Sequence, residues 1–424
     1  MSDPFRGRTP FAATGLLVAG ILIGVGTAWA YERGGLDFNV FHHAWTLVLS
    51  GHGADVYTDS PDRFLYAPGF AWLLAPLGLI PRGPSMLLWC LAKAAVLGLL
   101  LGGLGKRMVR GGSDVAGWKL AGVAAWSLVL LARPLLVDFQ YGQVNVFILA
   151  ACVWALLRHL EPGRPAGSFS AWAVLSIAAV AKVFPLPLLL LPWIPRRSGP
   201  DRRWERLGTL FGSLLVLGIP FVALGADGAV ALYGQWREAL LSKGLPLESH
   251  NQSFAAFVHH FLSGEGTRVI ARGSAGLLNL GRPWLSPDSV SLLSWSWTLV
   301  TTGVLLGWIL NRPASRSRDW SWLATVTGLL IVPSHLIWKP YFVFGVPAAV
   351  CAIGAVGRGS RHGAVFALVV LFALINLSGF DVIGAEWGAR AEAASLLLGC
   401  HLALLFLSSR ASDQAAGAAG SVTL

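Results

Sequence analysis

The stretch TGLLVAGILIGVGTAWAYERGGLDFNVFHHAW, residues 14–45, runs from an apolar segment straight into an aspartate and a pair of histidines. An uncharged run of roughly twenty residues is long enough to cross a bilayer core. The polar residues behind it then stand where the chain leaves the membrane. The run is too long for the apolar region of a signal peptide, and no A-x-A site precedes Asp37, so it reads as a retained helix. Asp37 has two readings. It can cap a helix starting at Phe38 by accepting free backbone N–H groups, or it can be a reactive carboxylate held at a membrane surface.

The rest of the chain extends the first observation. Its 424 residues are 55% hydrophobic and 12% charged, with a mean hydropathy of +0.63. Soluble domains carry about a quarter charged residues. Apolar stretches recur from end to end, separated by Arg-rich or Pro/Gly-rich breaks, and they read as membrane helices. The four cysteines (Cys90, Cys152, Cys351 and Cys400) fall inside apolar segments and form no C-x-x-C pair, so they are expected in the core.

Charge placement orients these helices, because short cytoplasmic loops collect Lys and Arg. Clusters occur at Arg6/Arg8, Lys106/Arg107/Arg110, Arg158/Arg164 and Arg196/Arg197/Arg202/Arg203/Arg206. They continue at Arg312/Arg316/Arg318, Arg358/Arg361 and Arg410, and together hold 18 of the 32 basic residues. The same loops hold only seven acids. The net charge of +11 is thus used up in orienting a membrane protein and implies no nucleic-acid partner.

The expected fold is an all-α polytopic membrane protein of about twelve helices. Ten full spans fall near 11–30, 84–104, 116–136, 143–157, 207–224, 290–310, 320–336, 341–357, 363–379 and 394–409. Residues 169–195 read as a hairpin of two short helices with its tip near AKVFPLP, 181–187, where Pro185 and Pro187 break the helix. Residues 68–81 are expected to lie along the outer surface. Two large extracytoplasmic loops result, 31–83 and 225–289, with aromatic and apolar patches suited to interfacial helices in contact with lipid. Residues 1–410 form one integral-membrane domain and 411–424 a polar tail.

Most chemistry-bearing residues fall on the outer side. His42 and His43 follow Asp37, but adjacent histidines point to different helix faces and make a poor metal pair. FQYGQVNVFILA (139–150) sets Gln143 and Asn145 at the mouth of a span, where amides need a neighbouring helix or a polar ligand. SHNQSFAAFVHHF (249–261) offers His250, Asn251 and Gln252, which can equally be a cap with surface polarity. VPSHLIWKPYFVFGVP (332–347) interleaves His335 and Lys339 with Trp338 and Tyr341. That lysine either snorkels to the interface or presents a point charge to a phosphate at headgroup depth.

Taken in order, DFNVFHHAWTLVLSGHGADVYTD…FLYAPGFAWLLAPLGLIP, GQVNVFILA, AKVFPLPLLLLPW, HNQSF and SHLIWKPYFVFGVP resemble glycosyltransferase family 87 over residues 11 to about 380. This family of GT-C membrane enzymes includes polyprenyl-phosphate-mannose-dependent α-mannosyltransferases of actinobacteria. The resemblance implies a GT-C-type fold in a bacterial plasma membrane, with the active site on the extracytoplasmic side. Asp37 matches the family's catalytic base, and Asn251–Ser253 its Asn-Gln-Ser element. In SHLIWKPY, Ile337 replaces the second serine of the family's Ser-x-x-Ser-Trp element, and His335 is an added departure. Phe41-His42 stands where a Tyr pair often follows the aspartate.

The implied reaction moves a sugar, mannose or arabinofuranose, from a polyprenyl-phosphate donor to a glycolipid or glycan hydroxyl with inversion. Lys339, His335 and Lys182 are the candidates for the donor phosphate. His42, Tyr57, Tyr66, Gln143, Asn145, His250, Asn251, Gln252, Trp338 and Tyr341 are the candidates for substrate contact. No cofactor or metal is expected, because the leaving group is a monophosphate ester and the outer loops hold no D-x-D pair. Two other classes remain open: a polytopic transporter, for which intramembrane Lys182 in a broken hairpin would suit a substrate path, and a lipid-linked polysaccharide polymerase or ligase. The charge pattern makes a direct prediction. A cysteine placed at Ser113 in a cysteine-free background should resist impermeant labelling in intact cells, while one at Ser263 should react; the opposite pattern would overturn the topology.

Overall fold

The computed structural model describes residues 9–420 apart from 60–63, 111–116, 162, 195–200, 243–244, 246–247, 264–266, 272–273, 279, 282–283, 312–318 and 357–361. Among the charged residues used above for orientation, Asp3, Arg6, Arg8, Asp114, Arg196, Arg197, Arg312, Arg316, Arg318, Arg358 and Arg361 lie outside the described residues, as does Ser113. The chain is a helical, polytopic membrane protein. Its contacts divide it into two compact units: Val25–Leu100 with Asp138–Gly244, and Met1–Gly24 with Leu101–Val137 and Leu245–Leu424.

The elements of the first unit begin in α1 (Thr9–Arg33) and continue through α2 (Leu36–Leu49), α3 (Pro68–Leu74) and α4 (Arg82–Arg110). α5 (Gly117–Leu130) and the first part of α6 (Ala132–Tyr141) belong to the other unit, and α7 (Asn145–Leu160), α8 (Pro165–Ala181) and α9 (Arg202–Ser242) follow in this one. The hairpin reading holds: α8 stops at Ala181, and a 3-10 helix runs from Leu186 to Trp193 beyond the turn. α8 packs along α9 through a small-residue approach. Gly208 and Gly212, one turn apart in GTLFG, meet the backbone carbonyls of Phe169 and Ala173 so closely that a Cβ would sit 2.2 Å from either oxygen. Ser176 adds hydrogen bonds to the Thr209 carbonyl (2.9 Å) and the Ser213 hydroxyl (2.6 Å). In lipid, where apolar surface gives no net drive to association, such close backbone contact is what holds helices together.

Beyond Gly225 (φ 73°, ψ 178°) α9 continues in a second helical stretch as far as Ser242, where an outer loop was expected. Tyr233 on that stretch reaches back to the Leu217 carbonyl (2.8 Å), and Trp236 donates to the Leu65 carbonyl (3.0 Å). Within residues 68–81 the first part is buried, while Leu79 is exposed. α3 buries Pro68, Gly69, Phe70 and Ala71 and packs against α2 and α9, with Gly69 pressed on the Val216 carbonyl. Pro220 has no N–H to offer that carbonyl, which frees it for a neighbour.

The second unit holds α10 (Phe254–Leu262), a hairpin of β1 (Thr267–Ala271) and β2 (Ser274–Leu278), α11 (Pro287–Leu310) and α12 (Asp319–Leu329). It continues with α13 (Val346–Val356), α14 (His362–Leu377), α15 (Phe380–Ile383), α16 (Ala385–Ala393) and α17 (Leu396–Gly420). The hairpin is a short feature of an otherwise helical chain, and α17 carries its backbone helix into the segment read as a polar tail. Side chains such as Leu292 and Leu299 of α11, 70% and 71% exposed, suit a lipid-facing surface.

Among the described residues, five helices are long and apolar enough to cross a membrane, or seven if two bent pairs each count as one span. The ten expected spans are not all full length. Segments read as spans at 143–157, 320–336 and 363–379 form helices of 16, 11 and 16 residues; at 1.5 Å per residue these reach roughly 16–24 Å, short of a core of about 30 Å.

Residues 116–136, read as one span, break instead at Leu131, where α5 and α6 meet at 74°. Pro134 explains the break. It cannot donate to the Leu130 carbonyl, and the Asn376 side-chain amide does so instead (3.0 Å) while accepting from the Arg133 backbone N–H (2.9 Å).

The α8–α9 contact is directly testable. Gly212→Leu should destabilise the protein by at least about 1–3 kcal/mol and reduce the yield of monodisperse material in detergent. Gly218→Ala, in open space on the same helix, should behave as wild type. Equal behaviour of the two variants would refute the close approach.

Candidate active site

In the first unit the site is built around the turn that carries Asp37. Gly34 (φ 78°) and Gly35 (φ 58°) take left-handed conformations that favour glycine, and they redirect the chain from α1 into α2. The helix therefore starts at Leu36 with Gly35 as its N-cap. Asp37 is not the cap. It lies half-buried in the first helical turn, where the helix dipole favours a negative charge. Gly35 packs so tightly that a Cβ would meet the Met86 methyl at 2.6 Å, and Gly142 (φ 67°) would meet the Phe38 Cβ at 2.5 Å. Behind Asp37, the α2 side chains Phe38, Phe41 and Trp45 are fully buried, and Phe41 meets Tyr66 edge-on at 5.0 Å. Trp89 closes this core by donating to the Gly142 carbonyl (2.9 Å).

Tyr66 leads to a polar network. Its hydroxyl donates to Gln143 Oε1 (3.4 Å), which also accepts from Lys182 Nζ (3.3 Å), while Lys182 donates to Asn145 Oδ1 (2.8 Å) and lies 5.6 Å from the Tyr66 ring centre. Lys182 is the residue on which α8 ends, with extended backbone, so the proline-induced break is what releases its side chain toward α7. The side-chain oxygens of Gln143 and Asn145 thus meet the lysine that follows α8. The Tyr57 hydroxyl donates to the Tyr66 carbonyl (2.6 Å). Burial, with the Tyr233 phenol adding to it, raises the Tyr57 hydroxyl above its usual range, so it stays a neutral donor. Beside the network, Lys93 Nζ lies 2.5 Å from Asp138 Oδ1, both side chains wholly buried. His42 and His43 diverge, the first toward the Ile80 carbonyl and the second toward that of Asp59.

In the second unit two distant motifs meet. Asn251 donates to the His335 carbonyl (3.0 Å) and accepts from Ile337 N–H (3.1 Å), and Ser253 donates to the same His335 carbonyl (2.8 Å). Gln252 accepts from Leu397 N–H (3.0 Å), and its own N–H donates to the Ile337 carbonyl (2.8 Å). The Asn251 and Ser253 side chains and the Gln252 backbone N–H thus clamp the backbone of SHLIW. His335 pairs with the Thr298 hydroxyl (2.8 Å), 4.6 Å from the Trp295 ring. Burial, then the nearby His259, hold its imidazole below the usual range, so it faces Thr298 uncharged.

Lys339 turns elsewhere, to Glu392 (2.5 Å). Glu392 also receives Arg133 (2.5 Å) and His250 (2.7 Å), and is 1% exposed. Phe380 packs against both Lys339 and His250. Trp338 is half-buried and Tyr341 buried next to this cluster in sequence. Arg133 and Glu392 went unnoticed in the sequence. The signal was an arginine inside an apolar run, LLARPLL, and an acid within a helix leading into a span.

Asp37, His42, Tyr57, Tyr66, Gln143, Asn145 and Lys182 thus belong to one unit; His250, Asn251, Gln252, His335, Trp338, Lys339 and Tyr341 belong to the other. Among the described residues, no three His, Cys, Asp or Glu side chains gather as a metal-holding group.

Residues 64–334 match glycosyltransferase family 87, a span that starts after Asp37. The chain is 25% identical over 406 residues to a polyprenol-phosphate-mannose-dependent alpha-(1-2)-phosphatidylinositol pentamannoside mannosyltransferase of Mycobacterium tuberculosis, covering 84% of this chain and 89% of that protein. It is 26% identical over 297 residues to an alpha-(1->3)-arabinofuranosyltransferase of the same species, covering 67% and 58%. The arabinofuranosyltransferase of Mycolicibacterium smegmatis is 24% identical over 360 residues, covering 79% and 71%. No solved structure matches.

The Glu392 cluster generates its own test. Glu392→Gln leaves Arg133 and Lys339 enclosed without their counter-charge, and breaking such a pair costs about 3–5 kcal/mol. The unfolding midpoint in detergent should fall markedly and recover in part when Lys339→Met is added. An unchanged midpoint would show that the cluster holds nothing together.

Proposed function

Because the chain belongs to glycosyltransferase family 87, we propose that it moves a sugar from a polyprenyl-phosphate donor to a hydroxyl of a glycolipid or glycan at the extracytoplasmic face. Mannose and arabinofuranose are the two sugars that the names of its relatives support. The observation that carries the reading is Asp37, held half-buried in the first turn of α2 by two left-handed glycines.

Inversion at the anomeric carbon needs a base and a stabilised leaving group. Asp37 takes the proton of the acceptor hydroxyl as its oxygen bonds to the sugar, a contribution of about 10²–10⁴-fold. The bond from sugar to phosphate breaks with its electron pair on the phosphate oxygen, and a cation must meet that charge. Lys182 serves in the unit that holds Asp37. Its amide partners fix the ammonium without neutralising it. Lys339, oriented by Glu392, is the candidate in the other unit. His335, uncharged and bonded to Thr298, acts as a hydrogen-bonding group rather than a second cation. Tyr57, Tyr66, Gln143 and Asn145 act by shaping the surroundings of Lys182. Asn251 and Gln252 act by holding the loop before Lys339. A monophosphate ester departs without help from a metal ion, so none is assigned.

Asp37→Asn separates a base from a helix-stabilising residue, because it keeps size and polarity and removes the proton-accepting charge. With a polyprenyl-phosphate sugar and an acceptor, its turnover should fall by at least about a hundredfold, while donor binding and the melting midpoint stay as in wild type. Near-normal turnover by a well-folded Asp37→Asn protein would remove Asp37 from the mechanism.

A further inference from the structure

The end of α1 and the start of α4 close a cleft that none of these roles uses. Ala30, Tyr31, Gly34, Arg82, Gly83 and Met86 line it, and its volume is about 220 Å³. Ala30 and Met86 make an apolar floor, and the exposed Tyr31 ring forms one side. Arg82 supplies the charge. One of its nitrogens donates to Asn39 Oδ1 over a long 3.4 Å, and another flanks the left-handed Gly34. Asn39 stands two residues after Asp37 on α2, so the guanidinium is anchored to the turn that bears the carboxylate. Among the described residues Arg82 has no acidic partner.

Two further observations bear on depth. Arg33 lies 5.4 Å over the Trp29 ring at the end of α1, the pairing of aromatic and basic residues found where helices meet headgroups. Arg82 also opens α4, at the far end from Lys106, Arg107 and Arg110. Gathering positive charge on one membrane side does not account for an arginine at the opposite end of the same span.

We propose that this cleft receives the phosphate of a polyprenyl-phosphate ligand, with Arg82 as a cation in addition to Lys182. The inference rests on the transfer reaction proposed above and adds to it a residue and a place. A planar guanidinium offers five donors and matches a phosphate two bonds at a time, which a lysine cannot do. The acceptor oxygen bonds to the anomeric carbon and yields its proton to Asp37. The bond from that carbon to the phosphate oxygen breaks, and the oxygen leaves with the electron pair against Arg82. The apolar floor accommodates the first prenyl carbons.

The test uses the full chain in phosphatidylcholine nanodiscs. Binding of a polyprenyl phosphate is compared with that of the matching polyprenol for wild type, Arg82→Gln, Arg82→Lys and Asp37→Asn. Wild type and Asp37→Asn should bind the phosphate better than the alcohol. Arg82→Gln should lose about tenfold or more of the phosphate affinity, the size of a charge-assisted hydrogen bond, with Arg82→Lys in between. Because Arg82 is exposed, the melting midpoint should not move.

Equal phosphate binding by wild type and Arg82→Gln would overturn this proposal and leave the transfer reaction standing. A defect that shows only when phosphatidylglycerol is added to the discs would overturn it too, making Arg82 a contact for bulk anionic lipid. A wild-type protein that does not distinguish phosphate from alcohol would remove both this proposal and the polyprenyl-phosphate donor.

Discussion

Glu392 is a single buried carboxylate on which three segments of the second unit converge. Arg133, His250 and Lys339 come from parts of the chain more than a hundred residues away from it in two cases, and each ends on one of its two oxygens. In an apolar interior an unpaired charge is prohibitively costly, so each cation needs the acid and the acid needs the cations. The arrangement also reaches into the main chain. Arg133 follows the break between α5 and α6, and its second guanidinium arm bonds Ser378 (3.0 Å) while its backbone bonds Asn376. The kink forced by Pro134, the turn before α15 and the lysine after SHLIW are thus tied to one another through side-chain chemistry rather than through apolar packing.

The first unit obeys the same constraint by different means. Lys93 and Asp138 neutralise each other where no solvent reaches, and Asp138 also gives its carbonyl to Lys93 (2.7 Å) and to the Gln143 N–H (3.0 Å). That second bond fixes the turn from which Gln143 and Asn145 extend. Lys182 is then held by amide oxygens.

Local signals in the sequence were read correctly where a single residue type decides the backbone. Gly225 ends the first part of α9 at the residue where the span was expected to stop, and the prolines after Ala181 break the hairpin where they stand. Pro134 carried an equally local signal in the middle of a run read as one span, and the break follows from its missing N–H. What could not be read is pairing across the chain. Nothing near Leu130 foretells that Asn376 will complete its hydrogen bonding. The motif residue Asn251 bonds backbone groups of a loop more than eighty residues away, and the Gln252 side-chain oxygen accepts from Leu397 N–H at the start of α17. Composition finds such polar groups, but only the fold says whether they face a partner or a substrate.

Asp37 stands in the first turn of α2 without taking its cap position. Gly35 takes the N-cap position with no side chain to offer, and the N-terminus of α2 is a favourable place for negative charge. Asp37, two residues on, profits from that field without being the cap. The glycine that permits this is itself constrained: its left-handed backbone and the 2.6 Å approach of a notional Cβ to Met86 leave no room for a side chain. The left-handed pair at Gly34 and Gly35 therefore sets three things at once, namely where α2 begins, where the carboxylate stands and how closely α4 can approach it. Since α4 begins with Arg82, whose guanidinium bonds Asn39 of α2 (3.4 Å), the same turn also joins the start of α4 to the first turns of α2.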